Sequence, residues 1–289
     1  MMKTLILFYT CSGNTQIIAK RTADILKEEG WEVSLENLRS YSQSYDSAKL
    51  DLIVLGVPVF YWEIPSAALR MIRELPRYEG VTGFVFTTFG KCVCNSVPYN
   101  LATELEKKGV RITGGAQIVM PHSARIGPKT RIGDNEISFG KGEPSEEVMS
   151  QYKSAIQKIA KRIKNGRFGE ISTDELKKLH TRNAAASFIN IFMTKQMKIT
   201  VMPAVQHDVR KCTQCTICIS DCDPGAITLN GIKIKINKKL CVKCYKCIEK
   251  CPHKALTTAW NRLEFWVRFI HCFAKNTETT IISLNDRVV

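Results

Sequence analysis

Two stretches decide the fold of the C-terminal third of this chain: residues 211–222, KCTQCTICISDC, and residues 240–252, LCVKCYKCIEKCP. Each has the cysteine pattern C-x2-C-x2-C-x3-C, formed by Cys212, Cys215, Cys218 and Cys222 and again by Cys241, Cys244, Cys247 and Cys251. Because the second run reproduces the spacing of the first, the two form an internal repeat. A unit this short cannot bury a core alone, so the two halves are predicted to fold together.

This spacing favours a metal cluster over a single zinc ion. A zinc site needs four ligands, usually two separated pairs, and a third closely spaced cysteine has no role in it. The pattern resembles the ligand run of bacterial two-cluster [4Fe–4S] ferredoxins, and Cys251-Pro252 matches the end of that signature. The resemblance covers about residues 205–260 and implies a small α+β domain, like a bacterial ferredoxin, with two clusters. Zinc remains the alternative.

The resemblance also implies crossed ligation, in which the fourth cysteine of each run binds the other run's cluster. Chain geometry agrees, because three closely spaced cysteines can surround one cube while the fourth, after the turn, points away. The expected sets are Cys212, Cys215, Cys218 and Cys251 for one cluster, and Cys241, Cys244, Cys247 and Cys222 for the other. One departure is Cys222-Asp223-Pro224, where the proline is displaced by one position, so that turn or that cluster's environment is expected to differ.

The first half of the chain alternates short apolar runs with amphipathic stretches, which predicts a parallel, doubly wound α/β sheet of five strands. Strands are expected at residues 5–8, 31–35, 50–57, 84–88 and 112–119, and helices at 14–29, 65–75, 96–108 and 146–164. In the C-terminal third, the alternation around Asn230-Gly231 predicts a β-hairpin.

The first strand-to-helix turn combines hydroxyls, a glycine and helix N-terminal amides in Thr10, Cys11, Ser12, Gly13, Asn14 and Thr15. Such a loop binds anions, although the same residue types are common as ordinary helix caps. It resembles the FMN-phosphate loop of flavodoxins. Two further loops at the ends of predicted strands resemble flavodoxin loops around the flavin: Pro58, Val59, Phe60, Tyr61 and Trp62, and Thr87, Thr88, Phe89 and Gly90. Their convergence at one crevice favours an FMN site.

Taken together, residues 1–165 resemble a flavodoxin and residues 205–260 a two-cluster ferredoxin, with a linker at 166–204 and a tail helix expected at 261–289. The pairing resembles a family of flavodoxin–ferredoxin fusion proteins of anaerobes. Membership implies FMN and two [4Fe–4S] clusters in one electron-transfer protein. The expected function is a relay between the clusters and FMN. The alternatives are an FMN-dependent reductase of a small organic substrate and an iron–sulfur redox sensor.

Charge and cysteine use bear on partners and location. The formal net charge is +15, and residues 181–289 contain 17 Lys and Arg against 7 Asp and Glu. We therefore expect an acidic redox partner, a ferredoxin or an oxidoreductase, and no nucleic acid, for which no binding motif is visible. Thiolate ligands need a reducing compartment, so a cytoplasmic location is expected. The apolar part of MMKTLILFYTC is too short for a signal peptide, and no apolar run could span a bilayer.

Four further features of the sequence lie outside these motifs. Cys92 and Cys94 are either a redox pair or bystanders, and Cys272 has no evident partner. Residues 121–144 are either a lid over the flavin or decoration. Residues 187–202 are expected to pack between the domains. The apolar residues of 260–273 have helical spacing, which is typical of a helix docked on a neighbouring surface.

Overall fold

A computed structural model describes residues 1–42, 49–90, 96–121, 129–132, 135–138, 142–167, 169–179, 194, 197, 199–200, 202–259 and 279–283. The chain divides into two compact units. The first contains Met1–Pro121, Lys141–Arg182 and Asn276–Val289, and the second contains His122–Gly140 and Asn183–Lys275. The predicted features at Cys92 and Cys94, at Cys272, in residues 260–273, in half of 121–144 and in most of 187–202 lie outside the described residues.

The first unit is built on five parallel strands: β1 (Lys3–Phe8), β2 (Glu32–Asn37), β3 (Leu52–Pro58), β4 (Thr82–Phe89) and β5 (Arg111–Val119). Four helices accompany them, α1 (Asn14–Glu28), α2 (Ser66–Arg73), α3 (Val97–Glu106) and α4 (Glu146–Lys164), with a 3-10 helix at Thr173–Leu179. The strand order is β2-β1-β3-β4-β5. The predicted flavodoxin-like α/β fold is therefore confirmed, and its crevice lies at the carboxyl ends of β1 and β3, where the strand order reverses.

The central strands are apolar on both faces because helices cover both sides of the sheet. Residues of β1, β3 and β4 are almost completely buried. Tyr152 of α4 is also fully buried; its ring packs edge-on against Phe84 and Phe86, and its hydroxyl lies 2.8 Å from Thr22 Oγ1. This apolar layer fixes the positions of the strand ends that carry the candidate flavin loops.

The second unit contains short elements. They are the strands β6 (Lys129–Ile132), β7 (Asn135–Ser138), β8 (Val205–His207), β9 (Ile227–Asn230), β10 (Lys233–Ile236) and β11 (Leu256–Thr258), the helices α5 (Ile217–Ser220) and α6 (Lys246–Lys250), and a 3-10 turn at Val209–Lys211. The pairs β6–β7, β9–β10 and β8–β11 are each antiparallel. The predicted hairpin at Asn230-Gly231 is confirmed, and Gly231 supplies the positive φ of its turn. A small core joins Cys218, Ile227 and Leu256.

The sheet of the first unit has a sixth strand, β12 (Thr280–Ser283), which was not predicted from the sequence. It pairs antiparallel with β5, and Gln117 Nε2 donates to Thr280 Oγ1 at 3.3 Å. The prediction of a tail helix over 261–289 is thus wrong for these residues. The physical reason is a run of β-branched residues, TII, which suits a sheet edge better than a helix.

Among the described helices, none is both long enough and apolar enough to cross a membrane.

We predict that Gly114→Ala destabilises the first unit through β12. A Cβ at Gly114 would lie 2.6 Å from the carbonyl oxygen of Ile282, so the added methyl group should push β12 away from β5. The expected cost is about 1–3 kcal/mol in the free energy of unfolding, the usual range for overpacking. Thermal and denaturant unfolding of the full chain measure it.

Truncation provides the control. A chain ending at Ser283 retains β12 and should show the full cost of Gly114→Ala. A chain ending at residue 278 lacks β12, so the cost should shrink to that of the remaining contact with the Phe84 ring, at 3.2 Å. Equal costs in both chains would contradict the role given to β12.

Candidate functional site

In the second unit, cysteines of both runs border one cavity. It is lined by Cys212, Cys215, Cys218 and Cys251, with apolar side chains that include Leu229 and Ile234. Three of these thiols belong to the first run and the fourth belongs to the second. In the described ranges, no three Cys, His, Asp or Glu side chains lie close enough together to hold one metal ion. Four thiols that border one cavity provide the donor set of an iron–sulfur cluster.

The other four cysteines also approach one another. Burial, together with the charges of neighbouring cysteines that include Cys244, Cys241 and Cys222, raises the pKa of the Cys247 thiol to about 12. Burial likewise raises the pKa of Cys222, with contributions from Cys244 and Cys241 of the opposite run. A cationic group is therefore needed to hold these sulfurs together as thiolates.

The local backbone repeats along with the cysteines. Gln214 and Thr216 have positive φ angles of 57° and 59°, and Lys243 and Tyr245, at the matching positions of the second run, have 50° and 57°. These left-handed residues lie between successive cysteines, where they turn the chain sharply. The fourth cysteine of each run accepts a backbone hydrogen bond, from Ala226 N to Cys222 Sγ at 3.2 Å and from Ala255 N to Cys251 Sγ at 3.3 Å. Such donors stabilise anionic sulfur and fit an iron–sulfur site.

In the first unit, the loop after β1 ends at the N-terminus of α1. Gly13 adopts a left-handed conformation with φ 97°, and its N–H donates to Thr10 Oγ1 at 3.0 Å. The first-turn amides of a helix have no intrahelical acceptor, and the first turn of α1 has no acidic side chain. Together with Ser12, which is half-buried, this arrangement suits a phosphate group.

Asn14 and Thr15, which the sequence assigned to the phosphate, also connect distant segments. Thr15 Oγ1 lies 2.8 Å from Thr88 Oγ1, and both residues are buried. Asn14 Nδ2 donates to the carbonyl of Pro121 at 2.8 Å, while Asn14 Oδ1 accepts from Gly142 N at 3.3 Å. The Asn14 amide therefore joins Pro121 and Gly142 to the phosphate loop, a role that local sequence did not indicate.

The aromatic loop after β3 has a strained turn. Phe60 and Glu63 exchange two backbone hydrogen bonds of 3.0 Å, and the residues between them, Tyr61 and Trp62, have φ angles of 52° and 65°. Positive φ angles at both central positions of a turn favour Asn or Gly, and bulky side chains in this conformation cost about 1–3 kcal/mol each. Trp62 is only 8% exposed, whereas Tyr61 is half-buried, so Tyr61 is the more accessible ring of the pair.

Thr88 connects all three loops. Its hydroxyl contacts Thr15, and its carbonyl accepts from Val59 N at 2.9 Å. Thr87 and Phe89 are buried beside it, and the backbone of Phe89 accepts from Met120 N. Pro58, Val59, Phe60 and Gly90 are half-buried at the same strand ends. The structure thus gathers the predicted flavin loops at one edge of the sheet; their contacts with FMN remain predictions.

Comparisons with known proteins agree with this division. Residues 5–86 match the family model described as Flavodoxin domain, and residues 211–256 match the one described as 4Fe-4S dicluster domain. The chain joins a flavodoxin domain to a 4Fe-4S dicluster domain. These two domains imply an electron-transfer flavo-iron–sulfur protein, with FMN for the first domain and iron–sulfur for the second.

Solved structures are similar to the flavodoxin domain. A flavodoxin from Streptococcus pneumonia TIGR4 shares 16% identity over 55% of this chain and 99% of its own (TM-score 0.42), and one from the domain Archaea shares 15% over 56% and 99% (TM-score 0.41). The rubredoxin oxygen:oxidoreductase of Desulfovibrio gigas shares 21% over 56% of this chain, which spans 36% of that enzyme (TM-score 0.40). At this level the structures add nothing to what the family models show. No curated protein matches the chain.

We predict that Thr15→Ala weakens FMN binding at least about tenfold. The variant loses a hydroxyl at the start of α1 and the contact with Thr88, and one hydrogen bond to a charged group is worth about 1.5–3 kcal/mol. Thr15→Ser keeps the hydroxyl and should stay near the parent affinity. Flavin fluorescence titration of the apoprotein measures both, and unchanged affinity in Ser12→Ala, Asn14→Ala and Thr15→Ala alike would reject the site.

The arrangement of cysteines predicts a crossed effect of the fourth positions. Cys251→Ala should alter the cluster held by the first three cysteines of the other run, and Cys222→Ala the cluster held by Cys241, Cys244 and Cys247. Electron paramagnetic resonance of reduced protein, combined with Cys215→Ala and Cys244→Ala, identifies which signal each variant changes. If Cys251→Ala and Cys244→Ala change the same signal, ligation is not crossed.

Proposed function

We propose that this protein relays electrons between two [4Fe–4S] clusters and FMN within one chain, and exchanges them with an acidic redox protein in the cytoplasm. When bound, the clusters carry single electrons and FMN carries one or two, so one-electron and two-electron traffic can be connected. The observation that carries the proposal is the convergence of Cys212, Cys215 and Cys218 with Cys251 around one cavity.

The remaining cysteines support a second cluster. Cys222 interacts electrostatically with Cys241 and Cys244, and Cys247 with all three. The matching left-handed turns and N–H···S hydrogen bonds give both halves the same means of holding a cluster. The proposed ligands are thus four thiols for each cluster, with three from one run and one from the other.

The charge of the dicluster domain supports an acidic partner. Residues 202–259 contain ten Lys and Arg and four Asp and Glu. In the β9–β10 hairpin, Leu229 and Ile234 line the cavity of the first cysteine set, while Lys233 and Lys235 alternate with them and are exposed. The hairpin that borders the first cysteine set therefore offers positive charge to solvent. Such a surface attracts an acidic protein and speeds encounter.

One observation favours a second function. Asn14 binds Pro121 and Gly142, so these two residues lie beside the phosphate loop. Residues held there are suited to border a substrate at the flavin. The alternative is therefore an FMN-dependent reductase of a small organic substrate, supplied with electrons by its own dicluster domain.

A stopped-flow experiment separates these functions. For a carrier, Lys233→Glu/Lys235→Glu should slow reduction by a low-potential acidic ferredoxin about tenfold or more at low ionic strength, and the difference should vanish as salt screens the charges. The matched control is Lys20→Glu/Lys27→Glu, which makes the same charge change at exposed positions of α1 and should have little effect.

Other results would contradict docking at the hairpin or the carrier function. Equal slowing by both double variants would contradict docking at the hairpin. Rapid, saturable reoxidation of the flavin by one small organic compound, with little dependence on salt, would make the protein a reductase.

A further inference from the structure

The two cysteine runs repeat closely, yet two of their differences place charges inside the domain. When the runs are aligned on their cysteines, Asp223 stands where Pro252 stands in the second run, and Lys246 stands where the first run has Ile217. Pro252 and Ile217 are exposed, whereas Lys246 is 6% exposed and the Asp223 side chain is 2% exposed. Burying a charge is costly unless it is paired, so these substitutions require a compensating contact.

The buried charges of Lys246 and Asp223 have opposite signs and lie near each other. Lys246 Nζ lies 3.9 Å from Asp223 Oδ2 and 3.9 Å from Asp221 Oδ1. At this distance the contacts are electrostatic and too long for good hydrogen bonds. A pair with this geometry is weak evidence for a stabilising role, because the cost of desolvation offsets much of the attraction.

Along the chain, the pair adjoins cysteines of only one of the two proposed cluster sets. Asp221 and Asp223 flank Cys222, and Lys246 directly precedes Cys247. Both cysteines belong to the set completed by Cys241 and Cys244. The positions that correspond to Asp223 and Lys246 in the other set are Pro252 and Ile217, which carry no charge, and Lys250, at the position of Asp221, is exposed.

We propose that Lys246 and Asp223 form a tuning pair that sets the reduction potential of the cluster held by Cys222, Cys241, Cys244 and Cys247 separately from that of the other cluster. The inference rests on the proposed assignment of these ligands. Burial matters because the surrounding protein screens a charge far less than water does. A positive charge beside a cluster stabilises the added electron and raises the potential; a negative charge lowers it.

The test uses the full chain loaded with clusters, and four variants: Asp223→Asn, Lys246→Met, Lys246→Met/Asp223→Asn, and Lys250→Met as control. Lys250 also lies on α6 but is exposed, so the control removes the same charge where water screens it. Redox titration at a mediated electrode, followed by electron paramagnetic resonance, gives the potential of each cluster as it gains one electron. Iron and sulfide content are measured on every sample.

Asp223→Asn is the decisive variant, because Lys246 keeps Asp221 as a partner. It should raise the reduction potential of the cluster held by Cys222, Cys241, Cys244 and Cys247 by at least about 59 mV. For one electron, this shift corresponds to a roughly tenfold change in the ratio of reduced to oxidised cluster at a fixed potential. Lys246→Met should lower the same potential, and the double variant should lie between the single variants. The other cluster, and both clusters in Lys250→Met, should change much less.

Three results would overturn the inference: unchanged potentials in fully loaded Asp223→Asn, equal shifts of both clusters, or a lower melting temperature as the only effect of the variants. These differ from failure of the proposed function, in which the unaltered chain itself binds fewer than about eight iron and eight sulfide. If Lys246→Met alone does not load clusters, Asp223→Asn and the double variant still decide the question, because neither leaves the Asp223 carboxylate buried without Lys246.

Discussion

The dicluster domain depends on one constraint, the gathering of four thiols from both halves of a short repeat. Its core of Cys218, Ile227 and Leu256 is small, and a domain of this size seldom folds on apolar burial alone. Burial and neighbouring charge raise the pKa of Cys218 and Cys247, so ionising these thiols without a cation is unfavourable. The free energy of metal binding therefore becomes part of the folding free energy. The left-handed turns, the N–H···S bonds and the hairpin all serve this convergence.

The flavodoxin domain has a large apolar core, and its structural requirement is that several loops be held at one place. Thr88 does this with two atoms, its hydroxyl toward Thr15 and its carbonyl toward Val59. The turn at Tyr61 and Trp62 is strained, and such a conformation persists only where the surrounding structure enforces it. The flavin loops are thus coupled to one another by direct hydrogen bonds, which reduces the ordering that ligand binding requires.

Sequence alone predicted what short-range pattern determines: the five parallel strands, the Asn230-Gly231 hairpin and the repeated cysteine runs. It failed where partners are distant along the chain. Asn14 was interpreted as a local donor, but its amide contacts Pro121 and Gly142, which are 107 and 128 residues away. Lys246 lies on a short polar helix, and only the fold shows that it is buried against Asp221 and Asp223. The strand β12 was missed because so short a segment shows too little periodicity to distinguish a strand from a helix, and its partner β5 lies far upstream, before the whole dicluster domain.

The position of β12 has a consequence for biosynthesis. A ribosome makes β1 to β5 first, then the whole dicluster domain, and only afterwards residues 280–283, which cover the edge of β5. During this interval the nascent sheet displays an unpaired strand edge, the kind of surface through which incomplete chains associate. The last strand of the flavodoxin sheet thus cannot form until both sets of cysteines have been synthesised. Premature termination within the dicluster domain would therefore leave its upstream neighbour incomplete as well.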